Sequence, residues 1–392
     1  MVEPMDLFYY SKRPIIGAYY YTGWHPLKER EKHLGPNWTE WELVLNAPPR
    51  FDGHDQPKIP LLGPYDDRRP ETLRLQQSLA RSFGIDFFCF GAFWSRGERF
   101  FEAPLDDAFL KNGGAEGFPF CVMWANRLPR KVLPVKIRPK EVIEESRRVT
   151  TDIDDFLNLI KTFEKLYFRR RNYVKFKGAP LFLIFDSTFF LRELGIDSAR
   201  TAILEAKRYL AACGYEGGLY IIAVNPVLNS SKGQPDFMAL YKEAGFDAIT
   251  HYVFLPHWKG PYVQDYEELM IERSSQWQLF RERSNMPYFP SVATGWDATP
   301  RGAIFEKKRP KRYPWWPIVL GNSPELFSKY LVKALKFSLK ENPIGLSFVA
   351  SMNEWSEGHY LEPCSRFGFG WLRGVLEAKQ RIEGVHTSLN RS

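Results

Sequence analysis

The chain has 392 residues, 44% of them hydrophobic and 16% aromatic, with a formal charge of +8. It is long enough to bury a sizeable core as one large α/β barrel or two modest domains. No apolar run approaches the roughly 18 residues of a membrane span, and no recognised nucleic-acid motif accompanies the positive charge, so neither a membrane span nor a nucleic-acid partner is expected.

The first segment, "MVEPMDLFYYSKRP", lacks a basic stretch followed by an uninterrupted apolar one. As it stands the chain is expected in the cytoplasm, and in the periplasm or outside the cell where a signal peptide was removed. Apolar runs then recur: "PIIGAYY" (14–20), "IDFFCFGAFW" (85–94), "FPFCVMWAN" (118–126) and "PLFLIFD" (180–186). They continue with "GLYIIAVN" (218–225), "FDAITHYV" (246–253), "YFPSVATGWD" (288–297) and "GLSFVASMNEW" (345–355). Most are apolar on both faces, as parallel strands covered on both sides must be.

Helical segments separate them. Between the third and fourth runs, "TTDIDDFLNLIKTFEKLYF" sets Ile153, Phe156, Leu157, Ile160, Phe163 and Leu166 on one stripe, with acids in its first turn. "DSARTAILEAKRYLAACG" is predicted to start at a capping Asp197 and end at Gly214. "SPELFSKYLVKALKFSLKENP" opens with Ser323 and Pro324 and stops near Asn342. Strand and helix thus alternate about eight times without a linker-like break, which predicts a single α/β unit over 1–392, a (β/α)8 TIM barrel. Residues 21–65 form a long loop region after the first strand at the active-site face. "GFGFGW" near Gly368 follows the last run with the wrong spacing for a dinucleotide fold.

In such a barrel the chemistry lies at the carboxyl ends of the strands. The residues closing the runs are Tyr20 and Tyr21, Trp94, Trp124 and Asn126, Asp186, Asn225, His251 and Tyr252, Trp296 and Asp297, then Asn353, Glu354, Trp355 and Glu357. Aromatic faces cover the C–H faces of sugars while carboxylates, amides and imidazoles bind hydroxyls, so this set points to a saccharide. Glycosidic bond cleavage needs a protonated acid at the leaving oxygen and a second carboxylate. Glu354 and Glu357, three apart in a helix-like turn, supply such a pair at about 5 to 6 Å between Cβ atoms, nearer the retaining than the inverting spacing. Like charges this close leave one of them protonated near neutrality.

Each residue also has a structural reading. One glutamate of the pair could cap a helix or bind an arginine such as Arg366, and Glu362 reads as structural. Trp124, Trp296 and Trp355 could plug the barrel, Asp186, Asn225 and Asp297 could cap the next helix, and His251 could be a buried hydrogen-bonding residue. Basic stretches begin at Arg127, Arg169 and Arg301; they read either as solvated loops or as attraction for an acidic glycan. Cys89 and Cys121 lie in apolar runs and read as buried small side chains. HExxH, paired CxxC, EF-hand and GxSxG patterns are absent, so no metal, cofactor or nucleophilic serine is expected.

The motif "NEWSEG" (353–358) followed by "LEP" resembles the end of the barrel in the WbsX-like group and is similar to the NEW-x-EG signature of glycoside hydrolase family 99, the endo-α-mannosidases and endo-α-mannanases. "GAYYYTGWHP", "NWTEW", "RFDGHDQPKIP", "CVMWAN", "GAPLFLIF" and "TGWDATPR" extend the resemblance along nearly the whole chain and add Trp24, His25 and Glu40 to the expected sugar contacts. The resemblance implies a (β/α)8 barrel and retaining hydrolysis of α-linked poly- or oligosaccharides through a 1,2-anhydro sugar. Carried over, Glu354 takes the proton of the 2-hydroxyl, and Glu357 acts on the leaving group and then on water. Where WbsX-like chains often continue the third-strand motif with Glu-Asn, this one reads "WANRLPRK", which sets Arg127 beside the expected site and suggests an acidic sugar. The mannose-binding pattern is not recognisable beyond the last motif. The alternative functions are a glycosyltransferase or transglycosylase in surface polysaccharide assembly, although no paired DxD motif appears, and a sugar-binding barrel that has lost catalysis.

Overall fold

A computed structural model describes residues 6–10, 13–111, 117–127, 133–134, 151–228, 235–304 and 310–389. The eight apolar runs become strands β1 (Ile15–Tyr20), β2 (Phe87–Ser95), β3 (Phe120–Trp124), β4 (Ala179–Ile184), β5 (Tyr220–Val224), β6 (Ala248–Thr250), β7 (Tyr288–Phe289 and Ser291–Ala293) and β8 (Leu346–Ala350). Neighbours run parallel in chain order, and β1 pairs with β8 through Ile15↔Leu346. Ring closure uses both halves of β7. Tyr288–Phe289 pairs with β6 and Ser291–Ala293 with β8, while Pro290 between them has no N–H for the ladder and accepts from the Phe348 amide at 2.8 Å. Every residue of β1, β3, β4 and β8 is buried, the signature of strands covered on both faces. The chain therefore forms a TIM-barrel-like α/β fold, with its helices outside the sheet.

Helix starts mostly follow side-chain capping. Asp152 accepts from the Asp155 amide ahead of Ile153–Phe163, and Ser323 from Leu326 ahead of Pro324–Glu341. The stripe read as one helix over 150–168 is α-helical only from Ile153 to Phe163 and then widens into a π-turn at Glu164–Phe168. Asp197 is not a cap. The preceding helix, Ser187–Leu194, runs straight into Ile196–Ala212 through Gly195 at φ 76°, so Asp197 falls inside the first turn.

Strands β3 to β8 also stop earlier than their apolar runs suggest, and the reason is chemical. Asn126 accepts from the Asp186 amide at 2.7 Å and donates to its carbonyl at 3.0 Å. Asn353 does the same to Tyr21 at 2.8 and 3.0 Å, and Asn225 joins the Tyr252 amide to the Phe185 carbonyl. These side-chain amides continue the ladder as rungs one step beyond the backbone pairing, freeing the main chain to turn into loops.

The stretch from Arg169 leads into Lys175–Phe176, which pairs with the start of β4, so it lies at the amino ends of the strands, opposite the carboxyl ends. Most of the stretch after Arg127, and 305–309 of the one after Arg301, lie outside the described residues. Cys89 and Cys121 are buried, unpaired and in register across β2 and β3. No helix among the described residues is long and apolar enough to cross a membrane.

Candidate active site

β8 leaves the barrel through a cis peptide bond between Ala350 and Ser351. A tight hairpin follows, pairing Asn353–Glu354 with His359–Tyr360 around the 3₁₀ turn Trp355–Glu357. Ser351 Oγ braces it, accepting from the Glu354 amide and donating to the His359 carbonyl, each at 3.0 Å. Gly358 closes the turn at φ 73°, where a Cβ would stand 2.8 Å from the Asp297 amide nitrogen. No side chain fits there, and the Asp297 amide instead donates to the Glu357 carbonyl at 2.8 Å.

The two glutamates are organised by a residue the sequence reading left among the basic stretches. Arg301 donates through Nη2 to Glu354 Oε1 at 2.9 Å and through Nη1 to Glu357 Oε1 at 2.5 Å. Its Nε and Nη2 reach Glu40 Oε2 at 3.2 and 2.9 Å. Glu40 also accepts from Arg30, Tyr21 and Ser356. Tyr313 donates to Glu357 Oε1 at 2.8 Å, and His359 Nε2 stands 3.4 Å from Oε2. Arg366, the alternative partner, pairs with Asp55 instead. Arg30, Arg301, Tyr313 and His359 are not among the expected contacts: Arg30 and Tyr313 meet the pair only through the fold, whereas Arg301 closes "TGWDATPR" and His359 follows "NEWSEG", the local signals that could have marked them.

Burial and this network divide the charges. Burial raises Glu40, but Arg301 and Arg30 outweigh it and bring the carboxyl down to about 2. Burial pushes Glu354 well above the ordinary glutamate value, and its two acidic neighbours add to that against Arg301. At Glu357 burial is overcome by Arg301 and by hydrogen bonds from His359 and Tyr313, leaving it below the ordinary value. Burial keeps His359 neutral by lowering its pKa. The two carboxyls are thus pushed in opposite directions, Glu354 toward its protonated form and Glu357 toward its charged form.

Both carboxylates open onto a cavity of about 980 Å³ at the carboxyl ends of the strands. Of the residues read from sequence, Tyr20, Tyr21, Glu40, Arg127, Asp186 and Asn225 line it, as do His251, Tyr252 and Trp296. Arg127 already has a protein partner: two of its nitrogens donate to Asp186, which also caps the helix from Ser187. His251 is buried and held neutral at a pKa of about 3, and it bonds Tyr288.

The others stand behind the wall, where burial forces each polar atom to find a protein partner. Trp94 Nε1 donates to Asp155, and Trp124 Nε1 to the Trp94 carbonyl. Trp24 Nε1 donates to the Asn353 carbonyl, and His25 pairs with Asp67. Asp297 is enclosed by His54, Gln56 and Thr299. Trp355 stacks on Tyr360 at 3.6 Å and donates to Glu362 at 2.6 Å. Asn126 and Asn353 are the rungs already described. None of these eight lines the cavity.

Glu362 also accepts from Tyr65 and Gln76, and burial lifts its pKa to about 7. A carboxyl raised on folding favours the native state below its unfolded pKa, and that contribution disappears as pH rises through 7. Against Glu362→Gln, the wild type is therefore expected to lose roughly 3 kcal/mol between pH 4.5 and 8. Urea unfolding of both proteins across that range checks this; parallel stability curves would contradict it.

The geometry can be set beside known proteins. The endo-alpha-mannosidase of glycoside hydrolase family 99 from Bacteroides thetaiotaomicron superposes with a TM-score of 0.59 at 14% identity, covering 95% of this chain and 98% of the other. A structure described as a glycoside hydrolase-like protein gives 0.54 at 16% identity, covering 96% and 97%. These likenesses concern the fold. In sequence, the protein named "Uncharacterized protein WxcX" of Xanthomonas campestris pv. campestris (strain B100) is 27% identical over 390 residues, 95% of this chain and 50% of that one. The chain spans about half the length of the curated relatives it matches. The family model described as "Glycosyltransferase WbsX" matches residues 16–375, and the chain belongs to that family.

Proposed function

We propose that this protein is a retaining α-glycoside hydrolase acting on a poly- or oligosaccharide, with Glu354 and Glu357 as the catalytic pair. The carrying observation is one buried guanidinium, Arg301, gripping both carboxylates at the wall of a large cavity. That grip keeps the carboxyls close, which fits the separation of about 5 to 5.5 Å in retaining sites better than the wider inverting one. Tyr21, Tyr252, Trp296 and Tyr313 supply ring faces around them, suited to sugar C–H surfaces.

The family resemblance assigns the first proton transfer to Glu354 as base and the leaving-group proton to Glu357, the reverse of the resting distribution. A sugar that draws Tyr313 and Arg301 away from Glu357 removes the donors holding its charge, and the shared proton then moves from Glu354 to Glu357. Glu354 becomes the base for the 2-hydroxyl, whose oxygen closes on the anomeric carbon as the leaving oxygen takes the Glu357 proton. Water, deprotonated by Glu357, opens the 1,2-anhydro sugar while Glu354 returns its proton to the 2-oxygen.

The family's name favours a second reading, transfer of the glycosyl group to another sugar, which we place in surface polysaccharide assembly. Incubation with a panel of α-linked polysaccharides, with product masses read in the presence and absence of acceptor sugars, separates the two. Shortened chains with water as acceptor are expected. Elongated products alone would establish transfer, and intact glycans under every condition would reject both.

A further inference from the structure

We propose that the loop after β6 carries a subsite for a sugar unit with one negative charge, of the uronic-acid class, next to the cleavage site. This rests on the carbohydrate reading above and adds the chemistry of the substrate.

Trp258 in this loop is 49% exposed although it lines the cavity. Its ring meets Trp296 edge-on at 5.2 Å, and Trp296 in turn stacks on His359, the neighbour of Glu357. Ring contacts therefore link Trp258 at the rim through Trp296 to His359 beside Glu357, with one large apolar face left to water at the outer end. Such a face is suited to a sugar ring.

The loop is stapled rather than loose. The buried Gln264 side chain accepts from the His257 amide at 2.8 Å and donates to the carbonyls of His257 and Pro261 at 2.8 and 2.9 Å. Trp316 Nε1 donates to the Gly260 carbonyl at 3.0 Å. Trp258 and Lys259 are thus presented on a fixed turn, which lowers the ordering cost of binding.

Charge completes the argument. The arginines lining the cavity are already engaged: Arg30 with Glu40, Arg127 with Asp186, Arg301 with three glutamates, and Arg273 with Glu272 and two backbone carbonyls. Lys259 lines the same cavity with no ion pair or hydrogen bond from its ammonium to any described residue. A compact cation with no partner among the described residues, beside an open tryptophan face, matches a ring bearing a single carboxylate.

Calorimetric binding to a panel of acidic oligosaccharides, each paired with its carboxyl-reduced neutral form and with a sulfated neutral chain, tests this. The wild type is expected to prefer acidic members by about fivefold, the upper range of an exposed ion pair, and to lose that preference in high salt. Lys259→Gln should abolish the preference, and Trp258→Ala should weaken acidic and neutral forms alike by about three- to tenfold, both with unchanged melting temperatures. A wild type that binds no acidic member, prefers sulfate over carboxylate, or keeps its preference in Lys259→Gln overturns the proposal. Because binding is read without cleavage, a protein that binds but never hydrolyses sinks the hydrolase reading and leaves this one standing.

Discussion

Glu354→Gln and Glu357→Gln are each expected to lose about 10²- to 10⁴-fold of turnover on any glycan the wild type cleaves, the usual worth of positioned acid–base catalysis. Gln keeps the shape and one acceptor oxygen at each site, so circular dichroism and melting temperature should stay close to wild type. The pair also dictates the pH profile. Activity falls on the acid side when Glu357, held below the ordinary glutamate value, takes a second proton. It falls on the alkaline side when Glu354, pushed well above that value by burial, gives up the shared one. In Glu357→Gln the neighbouring charge is gone, so the Glu354 titration should move down. An aryl glycoside with an acidic leaving group separates the roles: it needs no proton donor, so it should rescue Glu357→Gln and leave Glu354→Gln inactive. Rescue of Glu354→Gln alone would invert the assignment, and variants within tenfold of wild type would remove the pair from the chemistry.

How far the sequence could be read follows from which contacts are local. The eight strands were legible because parallel strands must be apolar on both faces, and that constraint is written into each run separately. Their ends were overrun because Asn126, Asn225 and Asn353 extend the pairing by side chain, and an amide that substitutes for a rung looks in sequence like one aimed at a ligand. Glu354 and Glu357 stood out because both lie in one short motif at a strand end. Arg301 did not, since it reaches Glu354 across 53 residues and sits among other basic residues. Trp94, Trp124 and Trp355 mark the same limit. An indole at a strand end reads identically as wall or core, and the choice is made by where Nε1 finds an acceptor: Asp155, the Trp94 carbonyl and Glu362, all fixed by folding.

Arg301 is also where the largest stability effect is expected. Arg301→Met removes a cation buried among Glu40, Glu354 and Glu357, and taking one partner from a buried ion pair costs about 3 to 5 kcal/mol. Glu40 retains Arg30 at 2.8 Å, so the burden falls on Glu354 and Glu357. Without the guanidinium both carboxyls prefer to be protonated, and their folded pKa values rise above the unfolded one. Such groups stabilise the native state below the unfolded pKa and lose that contribution as pH rises. The deficit against wild type is therefore expected to be largest at pH 8 and smaller at pH 5, as read by urea unfolding at both. Arg301→Lys should recover part of the stability but little turnover, since a single ammonium cannot fork to carboxylates on different elements. A deficit that grows toward pH 5, or an Arg301→Met protein as stable and active as wild type, would mean that the glutamates do not depend on this residue for their charge or their spacing.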